Sequence, residues 1–171
     1  MSSNKESYLI VDGYNVIGAN PDIHWNADTL ENARLRLIRD LSEYQSMTGR
    51  KVFVVFDAHR SAGAQVTTEL EQITVIYTKH GETADECIER LVRDYRSPHR
   101  RIYVATSDYL EQKLIFGQGA YRMSSRELIE DIKSLKGKIN KRMTKNRKKN
   151  LLVDRLSPDM KKKLENWRRK K

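Results

Sequence analysis

The sequence predicts an α/β fold: a three-layer sandwich with a central, mainly parallel sheet, followed by a basic helical extension. Three observations predict it. Short β-branched and aromatic runs alternate with amphipathic helical patterns, which is typical of βαβ units. Three of these runs end at or just before an aspartate. The last part of the chain has a strongly basic composition that the rest lacks.

The charge of the chain is unevenly placed. Residues 133–171 contain 17 lysines and arginines against 3 aspartates and glutamates, a net charge of +14, whereas residues 1–132 contain 16 against 20, a net charge of −4. We therefore expect a domain over residues 1–132 and a basic helical extension over residues 133–171. Such segregated charge favours a polyanionic partner, most simply nucleic acid, and the alternative is a solvated tail that only aids solubility.

Composition excludes several classes of protein. A single cysteine, Cys87, cannot form a disulfide framework or a cysteine-rich zinc site. Residues 1–7 lack the apolar segment of a signal peptide, and no stretch approaches the length of a membrane span, so we expect a cytoplasmic protein with no membrane partner. The sequence also lacks dinucleotide-binding, P-loop and nucleophile motifs. It gives no indication of the oligomeric state.

The first half of the chain contains two predicted strands. Residues 8–11 form an apolar run that stops at Asp12, as expected for a strand that is covered on both faces in a parallel sheet. Residues 18–27 have loop composition, and the capping-box spacing of Asp28 and Glu31 then opens a helix. Residues 51–56 repeat the first pattern and end at Asp57.

The middle of the chain adds a strand and a helix. Residues 58–70 show little periodicity, so an irregular connection is predicted there, and residues 73–77 form the third strand. Thr83 and Glu86 then have the spacing of a second capping box. The helix that they open has an apolar stripe formed by Ala84, Cys87, Ile88, Leu91, Val92 and Tyr95. Cys87 is therefore interpreted as a buried apolar residue rather than a nucleophile.

The last predicted strands precede the basic extension. Residues 101–105 run into the polar exit Thr106-Ser107-Asp108, and residues 120–123 form a short fifth strand. Between them a short helix is predicted through Leu110, Leu114 and Phe116. Ser124 and Glu127 form a third capping box, which opens a helix predicted to run to about residue 146. Ser157 and Pro158 have the pattern that starts a final short helix.

Four aspartates are expected at one edge of this sheet. Asp12, Asp57 and Asp108 follow strands, and Asp85 lies in the first turn of a helix that follows a strand. Clustered carboxylates raise one another's pKa, so such a group is poorly explained unless a cation offsets its charge. Oxygen ligands without a Cys or His cluster favour Mg²⁺ or Mn²⁺. For any single aspartate the alternative is an ordinary turn or capping role.

This residue set predicts phosphodiester chemistry. Carboxylate-held divalent ions support phosphoryl transfer and phosphodiester hydrolysis, a reaction that matches the basic tail. Asn15 can place its amide near the same phosphate, and Gly13 permits close approach of the backbone. Thr106 and Ser107 can hold a phosphate, although capping alone would explain them. The tail side chains expected to contact nucleic acid are Lys141, Arg142, Lys145, Arg147, Lys148 and Lys149.

Five blocks of the sequence together resemble the YacP-like NYN domain family. They are residues 11–17 (VDGYNVI), 55–59 (VFDAH), 82–86 (ETADE), 105–108 (ATSD) and 116–120 (FGQGA). The family belongs to the PIN-like nucleases, so the resemblance implies a Rossmann-like sheet, a divalent-metal site and cleavage of single-stranded RNA. Its bacterial members resemble ribosome-associated endonucleases that cut mRNA at the decoding site.

Carried over by position, the resemblance makes Asp12, Asp85 and Asp108 the strongest catalytic and metal candidates, with Asp57 and Asn15 supporting them. The alternatives for a further acidic ligand are Glu31, Asp40 and Glu86. The resulting hypothesis is a divalent-metal-dependent endoribonuclease that cleaves mRNA in association with the ribosome. The competing hypotheses are a non-catalytic RNA- or ribosome-binding protein that retains the nuclease fold, and a small-molecule phosphatase that leaves the tail unexplained.

Overall fold

The computed structural model describes residues 5–22, 30–58, 66–108, 119–154 and 158–169. It consists of two compact units, Met1–Ile132 and Lys133–Lys171. Three predictions lie outside the described residues: the helix cap at Asp28, the short helix through Leu110, Leu114 and Phe116, and the helix cap at Ser157.

Six strands form one sheet in the first unit. They are β1 (Glu6–Asp12), β2 (Lys51–Phe56), β3 (Val66–Leu70), β4 (Ile73–Tyr77), β5 (Arg100–Ala105) and β6 (Tyr121–Met123). Their order in the sheet is β3-β4-β2-β1-β5-β6. Only the outer strand β3 is antiparallel to its neighbour, and the other pairs are parallel. The predicted α/β class with a mainly parallel central sheet is confirmed.

Helices cover both faces of this sheet. The first unit contains α1 (Gly13–Ala19), α2 (Leu30–Thr48) and α3 (Ala84–Tyr95). Helix α4 (Ser125–Asp154) begins in the first unit and continues into the second, which also contains α5 (Pro158–Arg168). Helix α4 therefore ends later than the predicted limit near residue 146. Among the helices within the described ranges, none has the length and apolar composition needed to cross a bilayer.

The core has two layers because alternate residues of each strand point to opposite faces. Tyr8, Ile10 and Phe53 pack with the apolar stripe of α3 on one face. Leu9 and Val11 are fully buried as well, so the other face of β1 is also covered. Helix α2 contacts β2 and β4, and its buried residues are Ala33, Leu37, Ile38, Leu41 and Tyr44. This two-sided burial explains the uninterrupted apolar run in β1.

The prediction of an irregular connection over residues 58–70 is wrong for its last five residues. They form β3, which pairs with β4 through a two-residue turn at Glu71 and Gln72. These residues have φ angles of 48° and 72°, which normally favour Asn or Gly, so the usual hairpin signal is missing from the sequence. Side chains of α2 support the turn: Ser42 Oγ donates to the carbonyl of Glu71, and Gln45 Nε2 donates to that of Gln72 at 2.6 Å.

The predicted loop over residues 18–27 is also wrong at its start, because α1 continues through Ala19. The two capping boxes that lie in described residues are confirmed. Thr83 Oγ1 accepts from the backbone N–H of Glu86 at 3.2 Å, and Glu86 Oε2 accepts from that of Thr83 at 3.0 Å. Ser124 and Glu127 make the same reciprocal pair at 3.2 and 2.6 Å. Local sequence therefore determines where α3 and α4 begin.

Candidate functional site

The parallel strands carry four aspartates to one edge of the sheet, which we call the acidic edge (Asp12, Asp57, Asp85 and Asp108). Asp12 ends β1 and is in register with Val55 of β2, two residues before Asp57. On the other side, Val11 is in register with Ala105 at the end of β5, three residues before Asp108. Asp85 lies in the first turn of α3. The sheet therefore brings together the four aspartates that the sequence analysis singled out.

Asp12 is partly buried, and its carboxyl group is strongly perturbed. The pKa of this group is raised from 3.8 to about 6, chiefly by burial and in addition by the charges of Asp85, Asp57 and Asp108. A hydrogen bond of 3.1 Å from the backbone N–H of Asn15 to Asp12 Oδ1 acts in the opposite direction. Asp12 is thus both the N-cap of α1 and a carboxylate in electrostatic contact with three others.

Asp85 is exposed to solvent but is also affected by its neighbours. Partial burial raises its pKa, and the nearby carboxylates of Asp108, Glu89 and Asp57 raise it further. The mutual repulsion therefore acts on both carboxylates. A strongly perturbed pKa with specific charged neighbours is typical of a functional site.

The donor set of the acidic edge fits a hard divalent cation. Its members offer oxygen ligands alone, and a cation would relieve the repulsion that raises the pKa of Asp12 and Asp85. Within the ranges that the structure describes, no three Asp, Glu, His or Cys side chains are already gathered around one point as ligands. Mg²⁺ does not require such a cage, because it is usually held by one or two carboxylates together with water and substrate phosphates.

Backbone contacts fix the loops that carry Asp57 and Asp108. The hydroxyl of Thr78 accepts from the N–H of Ala58 at 2.9 Å, while the N–H of Thr78 donates to the carbonyl of Phe56 at 3.0 Å. Both sides of Asp57 are therefore tied to the exit of β4. At the β5 exit, the buried hydroxyl of Thr106 accepts from the N–H of Asp108 at 3.1 Å. Thr106 thus has the local turn role that the sequence analysis left open.

Asn15 links three parts of the fold. Its Oδ1 accepts from the backbone N–H of Ser107 at 2.9 Å and from the hydroxyl of Ser125 at 2.6 Å. Ser125 in turn donates its N–H to Ser107 Oγ at 3.3 Å. These three residues join the start of α1 to the end of β5 and the start of α4. The sequence analysis missed Ser125, because a serine at a helix start carries no signal of a partner so distant in sequence.

Gly13 has a packing role that differs from the predicted one. The sequence analysis assigned its missing side chain to close approach of a phosphate. In the structure a Cβ at Gly13 would lie only 2.3 Å from Cε1 of Phe56. The Phe56 ring is fully buried and also packs edge-on against Tyr14, with ring centroids 5.2 Å apart. Gly13 therefore allows an aromatic ring to pack directly beside Asp12.

Gly13→Ala is expected to destabilise the protein by about 1–3 kcal/mol, because the added methyl group displaces Phe56 from a close-packed site. Gly18→Ala in the same helix is the matched control, since nothing lies within 4 Å of its added Cβ. Alanine is a better helix former than glycine, so this control should be stabilised by about 0.5–1 kcal/mol. Urea unfolding measures both changes. Equal effects at the two positions would contradict the packing role of Gly13.

The raised pKa of Asp12 predicts a pH-dependent stability. Because the folded state holds the proton more tightly than the unfolded chain does, protonation contributes stability that is fully present below about pH 3.8 and lost as the pH rises through about 6. Asp12→Asn keeps a neutral acceptor at every pH. In EDTA at neutral pH the variant should therefore be more stable than wild type, by up to about 3 kcal/mol. Urea unfolding at several pH values measures this effect. The prediction is contradicted if the difference in free energy of unfolding between the variant and wild type is the same at every pH.

The remaining acidic candidates and the cysteine have other roles or surroundings. Glu86 uses its carboxylate to cap α3. Glu31 and Asp40 are not among the groups with the largest effects on the pKa of Asp12 or Asp85. Cys87 lies buried in the α3 stripe, and burial together with the charge of Glu82 raises its pKa to about 11. A thiol that stays protonated at neutral pH is a poor nucleophile, which agrees with the interpretation from sequence.

The second unit presents basic side chains on helix α4. Lys141, Arg142 and Lys145 are exposed, and Met143 among them is 66% exposed. Along this helix Leu128 and Ile132 are buried, whereas Met143 is not. The side chains of Arg147, Lys148 and Lys149 lie outside the described part of the structure.

Comparison with known proteins agrees with this fold. The family model of the YacP-like NYN domain matches residues 9–169. YacP of Bacillus subtilis (strain 168) is 45% identical over 163 residues, which cover 94% of this chain and 96% of that protein. The crystal structure of Rae1 (YacP) from Bacillus subtilis gives a TM-score of 0.73 at 44% identity, covering 95% of this chain and 94% of that one.

A tryptophan-to-leucine mutant of Rae1 (YacP) gives a TM-score of 0.74 at 44% identity, covering 84% of each chain. The NYN domain has a PIN-like nuclease fold, which agrees with the mainly parallel sheet described above. The chain therefore belongs to the YacP-like NYN domain family, and its nuclease fold is that of an RNA-related protein.

Proposed function

We propose that this protein is a divalent-metal-dependent endoribonuclease that cleaves single-stranded RNA, with mRNA in association with the ribosome as its substrate. The acidic edge is the observation that carries the proposal. In a nuclease-type fold, Asp12 has a pKa near 6 because it is buried and because three other aspartates act on it. Because these carboxylates repel one another, a bound divalent cation would offset their charge, and the same cation can bind a phosphate group.

The proposed roles follow from position. Asp12, Asp85 and Asp108 would hold Mg²⁺ or Mn²⁺, with Asp57 supporting them, and the bound ion would supply an activated water and stabilise charge on the phosphate. Asn15 is a positioning residue in this scheme, because its side-chain oxygen holds the β5 exit that leads to Asp108. Ser107 is exposed beside it and is available to contact a substrate phosphate.

The basic extension would bind the protein to RNA or to the ribosome. Lys141, Arg142 and Lys145 are exposed on α4, and the extension as a whole carries a net charge of +14. Such a surface attracts the phosphates of mRNA or ribosomal RNA. We place this activity in the cytoplasm, where translating ribosomes supply the substrate.

The direct test is a cleavage assay with purified protein, RNA and translating ribosomes, with Mg²⁺ or Mn²⁺ added or chelated. Cleavage should require the divalent ion and should be recovered when the ion is restored after chelation. RNA cleavage that persists in EDTA would contradict the proposed role of the metal. Ribosome binding without any metal-dependent cleavage would instead support a non-catalytic RNA- or ribosome-binding protein.

A further inference from the structure

We propose that Tyr121 is a stacking site for one base of the single-stranded RNA, an inference that rests on the proposed RNA substrate. The site is the outer end of a row of three planar groups, which we call the stacking ladder (Arg50, Tyr103 and Tyr121). The ladder lies in the first unit, so it is separate from the basic extension in sequence. Its members are not part of the acidic edge.

The ladder is built by the register of neighbouring strands. Tyr103 of β5 and Tyr121 of β6 are direct cross-strand partners, and their ring centroids lie 5.2 Å apart with an interplanar angle of 27°. Arg50, just before β2, places its guanidinium carbon 4.5 Å from the centroid of the Tyr103 ring. Because β5 lies between β6 and the strands β1 and β2, Tyr121 and Arg50 approach Tyr103 from different sides.

The inner end of the ladder is anchored. Arg50 Nη1 donates to the hydroxyl of Tyr44 at 2.8 Å, and Tyr44 is buried in helix α2. The guanidinium is therefore held in place above Tyr103, and the two tyrosine rings continue the row outward. A preorganised aromatic surface loses little conformational entropy when it binds a ligand.

The outer end is open. Tyr121 is 52% exposed, and β6 is the last strand of the sheet within the described residues. By contrast, the rings of Tyr8, Phe53 and Phe56 are buried. One face of Tyr121 is covered by Tyr103, so the accessible remainder can receive another planar group. A nucleic-acid base fits this requirement because every base has a π face, and stacking on aromatic side chains is a common mode of single-strand recognition.

Charge and position favour RNA over an apolar protein partner. Arg101 lies two residues before Tyr103 on β5, on the same face of the sheet, and is exposed, so a phosphate that flanks a stacked base would meet positive charge. Tyr121 also lies only two residues, about 7 Å of strand, before the end of β6. The chain then reaches Ser125, whose hydroxyl bonds to Asn15 beside Asp12. Because β6 is parallel to β5, and β5 to β1, the strand that carries Tyr121 ends at the same edge of the sheet as the aspartates.

The test uses the full-length protein in EDTA and a single-stranded RNA oligonucleotide with the fluorescent base 2-aminopurine at one position, moved along the strand in a series. Wild-type protein should bind the RNA and quench the fluorescence at one or two positions, as expected for a stacked base. Tyr121→Ala should weaken binding about 5- to 150-fold and remove the quenching.

Three variants separate stacking from folding. Tyr121→Phe keeps the ring and should keep both affinity and quenching. Tyr121→Leu keeps apolar cover over Tyr103 but has no ring, so it should behave as the alanine variant does. Leu35→Ala removes a similarly exposed apolar side chain from α2 and should change neither quantity.

Undiminished affinity and quenching in both Tyr121→Ala and Tyr121→Leu would overturn the stacking proposal. The same result is expected if the true ligand of Tyr121 is an apolar protein partner. A wild-type protein that binds no RNA would overturn this proposal together with the proposed substrate. Normal binding and position-specific quenching in a protein that fails to cleave would support stacking while counting against the proposed catalysis alone.

Discussion

Asp12→Asn and Asp85→Asn are each expected to lower metal-dependent RNA cleavage by at least about 10²-fold, the scale on which removal of one preorganised electrostatic group acts. Asparagine has nearly the shape of aspartate but contributes no negative charge, so the cation loses part of the field that would hold it. The loss should appear in assays with ribosomes, RNA and saturating Mg²⁺ or Mn²⁺.

These variants are informative because the fold should survive them. Asn is as good an N-cap as Asp, so Asp12→Asn retains the acceptor for the N–H of Asn15 and the start of α1. Asp94→Asn is the matched control, since it removes an exposed carboxylate from α3 while leaving the acidic edge intact. Wild-type cleavage by both Asp12→Asn and Asp85→Asn would show that the catalytic assignment is wrong.

The second large effect is expected from salt. If the extension binds six to ten phosphates, affinity for RNA or ribosomes should fall by roughly 10³ to 10⁵ between 50 and 200 mM salt. Replacing Lys141, Arg142 and Lys145 together by Gln should reduce the slope of log affinity against log salt by about 3, because each lost phosphate contact contributes about 1. Filter binding or sedimentation with ribosomes over a salt series measures the slope.

The matched control removes the same charge from the first unit. Arg39, Lys79 and Arg93 are exposed there, and their combined replacement by Gln lowers the net charge equally. If docking depends on the extension, this control should leave the salt slope nearly unchanged. Equal slopes for wild type and for a protein truncated after Asp131 would refute the docking role of the extension.

Much of the fold could be predicted from the sequence because its signals are local. The apolar run of β1 reports burial on both faces, and the reciprocal pairs Thr83–Glu86 and Ser124–Glu127 mark helix starts that the structure confirms. The aspartates could be predicted to meet because parallel strands bring their carboxyl ends to one edge. The pKa of Asp12 then shows that these groups interact as charges.

What could not be predicted depends on contacts between distant residues. The turn that joins β3 to β4 lacks the usual hairpin residues. Hydrogen bonds from Ser42 and Gln45 of α2 support this turn instead, and they cannot be read from the local sequence. Gly13 gave no sign that Phe56 would occupy the space beside it. The bond between Asn15 and Ser125 and the alignment of Tyr103 with Tyr121 likewise depend on strand and helix placement that local patterns do not encode.

The central claim is that the acidic edge holds a divalent cation for cleavage of RNA. A crystal of the full-length protein soaked in Mn²⁺, with an anomalous difference map, tests it most directly. We predict a Mn²⁺ peak ligated by Asp12 and by at least one of Asp85 and Asp108, with Asn15 still bonded to Ser107 and Ser125. A fully soaked crystal whose manganese binds only elsewhere, with Asp12 contacting no ion, would contradict the claim.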